Sequence, residues 1–313
     1  MREFVIQENE AGQRFDKYLR KLLQNAPGSF VYKMLRKKNI VLNDKKSDGA
    51  ARLTEGDNVK LYLSEETFLK FSMGDVGEVL EGLPRVNLSR FPLEFLYEDE
   101  DVLIVDKPAG MLSQKAKADD VSANEYLLAY LLACGKITEE ELKTFRPSVV
   151  NRLDRNTSGI LIFGKTLKGL QEMSDDLKER GISKYYLCLV QGKVTEPRHI
   201  EGYLRKDEAK NKAEILKQPA TKDDKWIETE YAPVRQFSDA TLLEVRLITG
   251  RTHQIRAHLA SIGHPILGDA KYGGERVPGI SAQLLFASRV RLTNGQEVKA
   301  PMPEAFRRAM ERL

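Results

Sequence analysis

The chain has 313 residues, 41% of them hydrophobic and 31% charged, with a formal charge of +4. That apolar content argues against long disorder, and the length exceeds what one typical core fills, so the expectation is two domains, one of them small. No apolar run approaches the roughly 18 residues of a membrane-spanning helix, and the opening MREFVIQENE lacks a signal-like apolar stretch, so the reading is a cytosolic protein with no membrane partner.

Cys134 and Cys188 lack CxxC spacing, which excludes a zinc ribbon and a disulfide framework and leaves two buried, unpaired thiols as the expectation. Charge is unevenly spread. Residues 1–64 hold 13 Lys and Arg against 8 Asp and Glu, and within them residues 14–46 carry ten basic side chains beside only Asp16 and Asp44. Such a concentrated positive field suits nucleic-acid phosphate, although a solvated basic face without a ligand has the same composition.

In chain order, RFDKYLRKLLQ places Phe15, Tyr18, Leu19, Leu22 and Leu23 at helical spacing and leaves Lys17, Arg20 and Lys21 on the other faces. Asn25-Ala26-Pro27-Gly28 breaks this helix, and Ser29 is the expected N-cap of a second one with Val31, Met34 and Leu35 inward. The stretch 39–63 then alternates in short strands broken at Asn43-Asp44 and Gly56-Asp57, a small sheet that closes the unit. This order of helices and hairpin, with RFDKYL, the Arg36-Lys37-Lys38 turn and VLND, resembles the S4 RNA-binding domain. The resemblance makes residues 1–64 an S4-like domain and implies that Arg14, Lys17, Arg36, Lys37 and Lys38 contact RNA.

Residues 65–90, with Gly74, Gly77, Gly82 and Pro84 among charged residues, read as a linker containing one short helix. A second domain then spans 91–313. It opens with a buried strand over Val102–Val105 that a Lys-Pro-Ala-Gly turn ends. Helices are expected near 121–134 and 167–180, and strands at Gly159–Phe163, Tyr185–Val190, Thr241–Ile248 and Leu284–Leu292. Their mixture without βαβ alternation favours an α+β fold.

Two strings carry the chemistry. VNRLDRNTSGIL, residues 150–161, sets Asp154 between Arg152 and Arg155 on a polar loop before an apolar strand, where flanking guanidinium groups would keep the carboxylate ionised as a nucleophile or base. An exposed Asp-Arg pair of little energetic consequence is the plain alternative. The second, RLITGRTHQIRAHLASIGHPILGDAKYG, residues 246–273, reads as a strand, a turn at Gly250 and a helix capped by Thr252, with Arg251, His253 and Arg256 gathered at its start where an anion would sit. The spacing of His253, His258 and His264 does not suit a metal.

RLDRNTSG matches without a gap the signature of the RluA-type pseudouridine synthases, except that Asn151 stands where that family usually has His. GRTHQIR, GHPI and the following Gly-Asp resemble the same family, as do KYYLCLVQG, YEDEDVLIVDKPAG and the closing VKAPMPEAF, so the likeness runs from about Leu93 to the C-terminus. It implies a mixed, largely antiparallel sheet with flanking helices and Asp154 as the catalytic residue. By the same match Arg256 is its ion-pair partner, Tyr186 is the active-site tyrosine, and Arg152 pins phosphate or the loop. Arg251 and His253 join the RNA contacts. The Asn151 substitution puts the loop's hydrogen bonding in question. The expected activity is conversion of uridine to pseudouridine in structured RNA, with 23S ribosomal RNA or its assembly precursor the preferred substrate, by a monomer needing no metal or cofactor. A tRNA-modifying synthase and a non-catalytic RNA-binding assembly factor are the alternatives; the complete set of Asp154, Tyr186 and Arg256 argues against the latter.

Overall fold

A computed structural model describes residues 1–72, 92–117, 119–207 and 212–313. The expected linker residues 73–90 and the expected domain start at Phe91 lie outside the described residues.

Near the N-terminus the two amphipathic stretches form helices α1 (Phe15–Leu22) and α2 (Gly28–Arg36). Phe15, Tyr18, Leu19, Leu23, Val31 and Leu35 are all but sealed from solvent, each large apolar side chain contributing about 1.5–3 kcal/mol of burial. With that face inward, Lys17, Arg20, Lys33, Arg36, Lys37 and Lys38 face water. Arg14 is otherwise engaged: its guanidinium donates twice to Asp16, at 3.0 and 3.1 Å. Pro27, not Ser29, precedes the first turn of α2, because its fixed φ of −56° and extended ψ of 140° stop the chain one residue before Gly28 enters the helix.

Three short strands, β1 (Arg2–Val5), β2 (Ile40–Leu42) and β3 (Asn58–Leu61), pair antiparallel in the order β1-β3-β2. Asn43 and Asp44 both take positive φ, 49° and 60°, so Leu42 and Lys45 exchange two hydrogen bonds across a two-residue turn. β1 carries no apolar alternation, which is why its sequence does not announce it: Val5 is half exposed. Helix α3 (Glu65–Ser72) occupies the first part of the stretch read as a linker, yet Phe68 and Phe71 return it to this core against Phe4 and Phe30.

The remaining described residues build one sheet of 11 strands. In chain order its elements are β4 (Glu94–Glu98), β5 (Val102–Lys107), helix α4 (Ala123–Ala133), β6 (Ser148–Val149), β7 (Ser158–Gly164) and helix α5 (Leu167–Lys178). Then follow β8 (Ser183–Gln191), β9 (Arg198–Asp207), β10 (Lys212–Leu216), β11 (Lys225–Gln236) and β12 (Ala240–Leu247). Helix α6 (Gln254–Ser261), β13 (Leu285–Arg291), β14 (Glu297–Lys299) and helix α7 (Glu304–Met310) end the chain. The sheet order is β10-β9-β11-β12-β8-β13-β7-β5-β4, with β14 beside β13 and β6 beside β7. Every pairing is antiparallel except β7 with β13, so the domain is α+β. Helix starts follow ordinary capping chemistry, with a Ser122–Glu125 capping box before α4 and Thr166 Oγ1 accepting from Gly169 N before α5.

The expected strands all form. Those at 94–98, 198–207, 212–216, 225–236 and 297–299 went unread, because in β9 and β11 charged residues on the outer face dilute the alternation that buries Ile227, Thr229 and Tyr231. Cys188 is buried in β8, whereas Cys134 is exposed just beyond the last turn of α4, a correction to the expectation of two buried thiols. Among the described residues no helix is long and apolar enough to cross a membrane.

Where β7 meets β13 the chains pass closely. Gly159 has φ +107° and faces Ala287, whose carbonyl oxygen would lie 2.2 Å from any Cβ at that position. Gly159→Ala is expected to destabilise the fold by about 3 kcal/mol or more, since it adds backbone strain to a clash with backbone atoms. Urea unfolding of the whole chain measures this, and a loss below about 1 kcal/mol would mean that the two strands can separate there.

Candidate active site

The loop between β6 and β7, residues 150–157, is held by three different devices. Asn151 donates from its amide nitrogen to Ile160 O at 3.2 Å and accepts from Ile162 N at 2.8 Å, so it binds the backbone of β7 as a neighbouring strand would. The residue that departs from the usual His therefore satisfies the loop's hydrogen bonding. Ser113 Oγ accepts from Leu153 N at 3.0 Å and donates to Leu153 O at 3.1 Å, and Thr157 N closes a turn onto Asp154 O at 3.0 Å.

The third device is Lys107, which the sequence reading took only as part of a turn. Its side chain is fully buried at the end of β5, and Nζ donates to Pro108 O, Met111 O and Arg155 O at 2.9, 2.8 and 3.2 Å. Burial pushes its pKa down to about 8, against the opposing pull of Asp154 and then Asp106. One cation thus fastens the Lys-Pro-Ala-Gly turn to the loop that carries Asp154. A lysine closing a strand that is apolar over Val102–Val105 is the available signal.

Arg256 reaches this loop from α6, 102 residues away in sequence, and its Nη1 donates to Asp154 Oδ2 at 2.8 Å. Its Nε and Nη2 donate to Asp269 at 2.6 and 2.8 Å, a fork-to-fork pair in which Asp269 is 2% exposed. Although burial opposes its charge, the Asp269 and then the Asp154 carboxylates raise the pKa of Arg256 further. Asp269, the acid of the Gly-Asp motif, aims the arginine. Arg152 and Arg155, expected to hold the Asp154 charge, are both exposed in the cleft lining without an ion pair to it, and the partnering guanidinium is that of Arg256. Among the described residues no hydrogen bond reaches Asp154 Oδ1, and the side chain keeps 23% of its surface open.

Tyr186 lies on β8, 6% exposed, in the wall of the same cleft. Burial, with the Asp154 charge adding to it, raises the phenol's pKa and keeps it neutral. Tyr185 projects to the opposite face, where the Arg289 guanidinium stacks 3.7 Å from its ring centre, so strand alternation separates the two tyrosines. His253, not Thr252, is the residue before α6, in the left-handed region with φ +57°, and its Nε2 lies 3.8 Å from Asp154 Oδ2. Arg251 remains exposed on the rim. Gln254 ties the start of α6 to the sheet, donating to Glu228 O and Thr229 Oγ1, each at 3.0 Å.

These groups open into one cleft of about 980 Å³. Lys115, Arg152, Arg155, Lys178, Arg180, Lys184, Lys206 and Arg251 line it, and among the described residues Asp154 is the one acidic residue in its wall. Three side chains with potential metal-ligand atoms within 4.8 Å of each other, His199, Glu201 and Glu228, occur among the described residues, but none of them lines the cleft. Its chemistry is that of a single carboxylate inside a positive, partly dehydrated pocket, suited to a polyanion with an electrophilic carbon.

Residues 101–261 match the family model for RNA pseudouridylate synthase. The ribosomal large subunit pseudouridine synthase C of Vibrio cholerae is 31% identical over 98% of this chain and 95% of its own length. The protein of that name from Escherichia coli is 29% identical over 99% and 95%. The structure of human RNA pseudouridylate synthase domain containing 4 superposes with a TM-score of 0.58 at 19% identity, covering 76% of this chain and 96% of that one, which is a likeness of fold. With the family model covering more than half of the chain, and with relatives matching nearly end to end, the protein belongs to the RNA pseudouridylate synthase family and is an RNA pseudouridine synthase.

Proposed function

We propose that this enzyme isomerises uridine in large-subunit ribosomal RNA, in the cytosol, with Asp154 as the catalytic carboxylate, Arg256 as its ion-pair partner and Tyr186 packed against the target ring. The observation that carries the reading is the one carboxylate that the described residues bring to the cleft, held through Oδ2 by Arg256 while Oδ1 is left open. The substrate class rests on the names of the end-to-end relatives, which are large-subunit enzymes.

Making pseudouridine breaks the bond from uracil N1 to ribose C1′, turns the base while it stays bound, and joins C5 to C1′. Nothing is oxidised or hydrolysed, so the reaction draws on no redox cofactor. One carboxylate suffices because uracil leaves as a stabilised anion, whereas glycoside hydrolysis commonly needs a second carboxyl group as acid. A guanidinium fixed by Asp269 holds Asp154 charged and oriented before substrate arrives, so little reorganisation is left for the reaction itself. The neutral phenol of Tyr186 offers the extruded uracil a wall to turn against, and being already protonated it leaves the C5 proton to a base.

Reaching C1′ requires the nucleotide to leave its stack, at about a few kcal/mol. Phosphate contacts offset that cost. Arg152 and Arg251 at the cleft, with Lys17, Arg36, Lys37 and Lys38 on the S4-like N-terminal domain, supply exposed cations for it. Arg14, bound to Asp16, contributes through its remaining surface.

Pseudouridine mapping of ribosomal RNA from cells with and without the gene tests the activity and names the site; identical maps would reject the large-subunit assignment. Asp154→Asn is expected to lower turnover by at least about a thousandfold while RNA affinity stays within about twofold, and a variant that still turns over would remove Asp154 from its role. Replacing Arg36, Lys37 and Lys38 together by Ala should reduce the slope of log affinity against log salt by about 2, at roughly 0.7–0.9 per phosphate contact. An unchanged slope would take that turn off the RNA path.

A further inference from the structure

His253, expected among the RNA contacts, forms a part-buried pair with Tyr272. Tyr272 lies in the turn after Asp269 and is 8% exposed. Its hydroxyl oxygen accepts the backbone N–H of Ala213, in β10, at 2.8 Å, and it lies 3.1 Å from His253 Nδ1. The two rings meet edge to face, with centres 5.8 Å apart at 85°. On its other side, the imidazole turns Nε2 to Asp154 Oδ2 at 3.8 Å.

Two separate arguments select the same tautomer. A phenol has one proton to give, and with the Ala213 N–H already occupying its oxygen, that proton needs an acceptor inside the fold; His253 Nδ1 is within reach. At the other edge of the ring, a bare Nε2 would aim its lone pair at a carboxylate, whereas Nε2–H aims a positive edge there. Burial lowers the pKa of the ring against the pull of Asp154, so it is the neutral imidazole whose tautomer matters.

We propose that Tyr272 is a positioning residue whose hydroxyl locks His253 as the Nε2–H tautomer, so that His253 and Arg256 together hold Oδ2 of Asp154 and leave Oδ1 turned to the target nucleotide. This rests on Asp154 being the reactive carboxylate. At 3.8 Å the N–H acts on Oδ2 through its dipole and not as a formed hydrogen bond. The same phenol oxygen is anchored to β10, so the edge strand supports the tautomer from outside the cleft, and Lys212 of that strand stands 5.1 Å from the Tyr272 ring centre.

The chain has 4 histidines, so 15N spectra of the whole histidine-labelled protein can be assigned by substitution. In the native enzyme His253 is expected to show a protonated Nε2 and a bare Nδ1. Tyr272→Phe keeps the ring and removes the hydroxyl; it should turn that single tautomer into a mixture and lower kcat about tenfold, with KM within about twofold. A second pair of variants guards against misfolding. Gln places an amide N–H where Nε2–H lies and Asn cannot reach it, so His253→Gln should outperform His253→Asn in kcat, although Asn suits the left-handed backbone at this position better. A protonated Nδ1 in the native protein would overturn the proposal. So would a Tyr272→Phe enzyme with unaltered kcat or a change in KM alone, or His253→Asn matching His253→Gln. All of these leave the result for Asp154→Asn standing, whereas an active Asp154→Asn enzyme would bring down the underlying reading as well.

Discussion

The bond from Arg256 to Asp154 joins a loop at the start of β7 to a helix that follows β12, and the tertiary structure must keep those two elements in register for the site to exist. A carboxylate left alone among buried groups would take up a proton, since burial favours the neutral acid. A guanidinium free to move would hold it ionised but would not aim it. Asp269 removes that freedom by taking two of the arginine's nitrogens, so the third can point only at Asp154. The arrangement spends stability on geometry: each buried ion costs several kcal/mol in lost hydration, and the trio regains this only because its members satisfy one another.

Lys107 shows the same logic applied to the backbone. Three carbonyl oxygens converge on one ammonium group that water does not reach, and those carbonyls belong to the turn after β5 and to the loop of Asp154. Partly unpaired backbone of this kind would be costly to bury without a donor. With the donor in place, the buried carbonyls of an irregular loop are satisfied. Asn151 and Ser113 extend the effect by giving the loop strand-like hydrogen bonds where regular pairing has stopped.

Around this rigid centre the surface is built to be wet and positive. Of the described ionisable residues in the cleft wall all but Asp154, His253 and Tyr186 are Lys or Arg, many of them on long side chains that keep their heads in solvent. Such groups bind phosphate by charge and tolerate movement of the partner, while the short, buried groups at the floor do not. The cleft thus combines two kinds of side chain, long cations most of which are exposed and shorter groups packed at its floor.

Local sequence was sufficient for whatever depends on neighbours in the chain. Helical spacing located α1, α2, α4 and α5, the apolar runs located β5, β7, β8, β12 and β13, and the polar run ending in Thr-Ser-Gly located the loop of Asp154. Resemblance to a known family added the pairing of residues 154 and 256, which no local pattern contains. Tertiary structure alone decided the rest, because those features depend on groups far apart in the chain. It left Arg152 and Arg155 exposed and unpaired with Asp154 and brought Asp269 to Arg256, it buried Lys107 among carbonyls, and it exposed Cys134 while hiding Cys188. The strands β9 and β11 belong to the same class: their charged faces obscure the alternation until the sheet exists to bury the other side. Periodicity reports which face of an element is apolar; it carries no information about which element will cover that face, and the site lies where those choices meet.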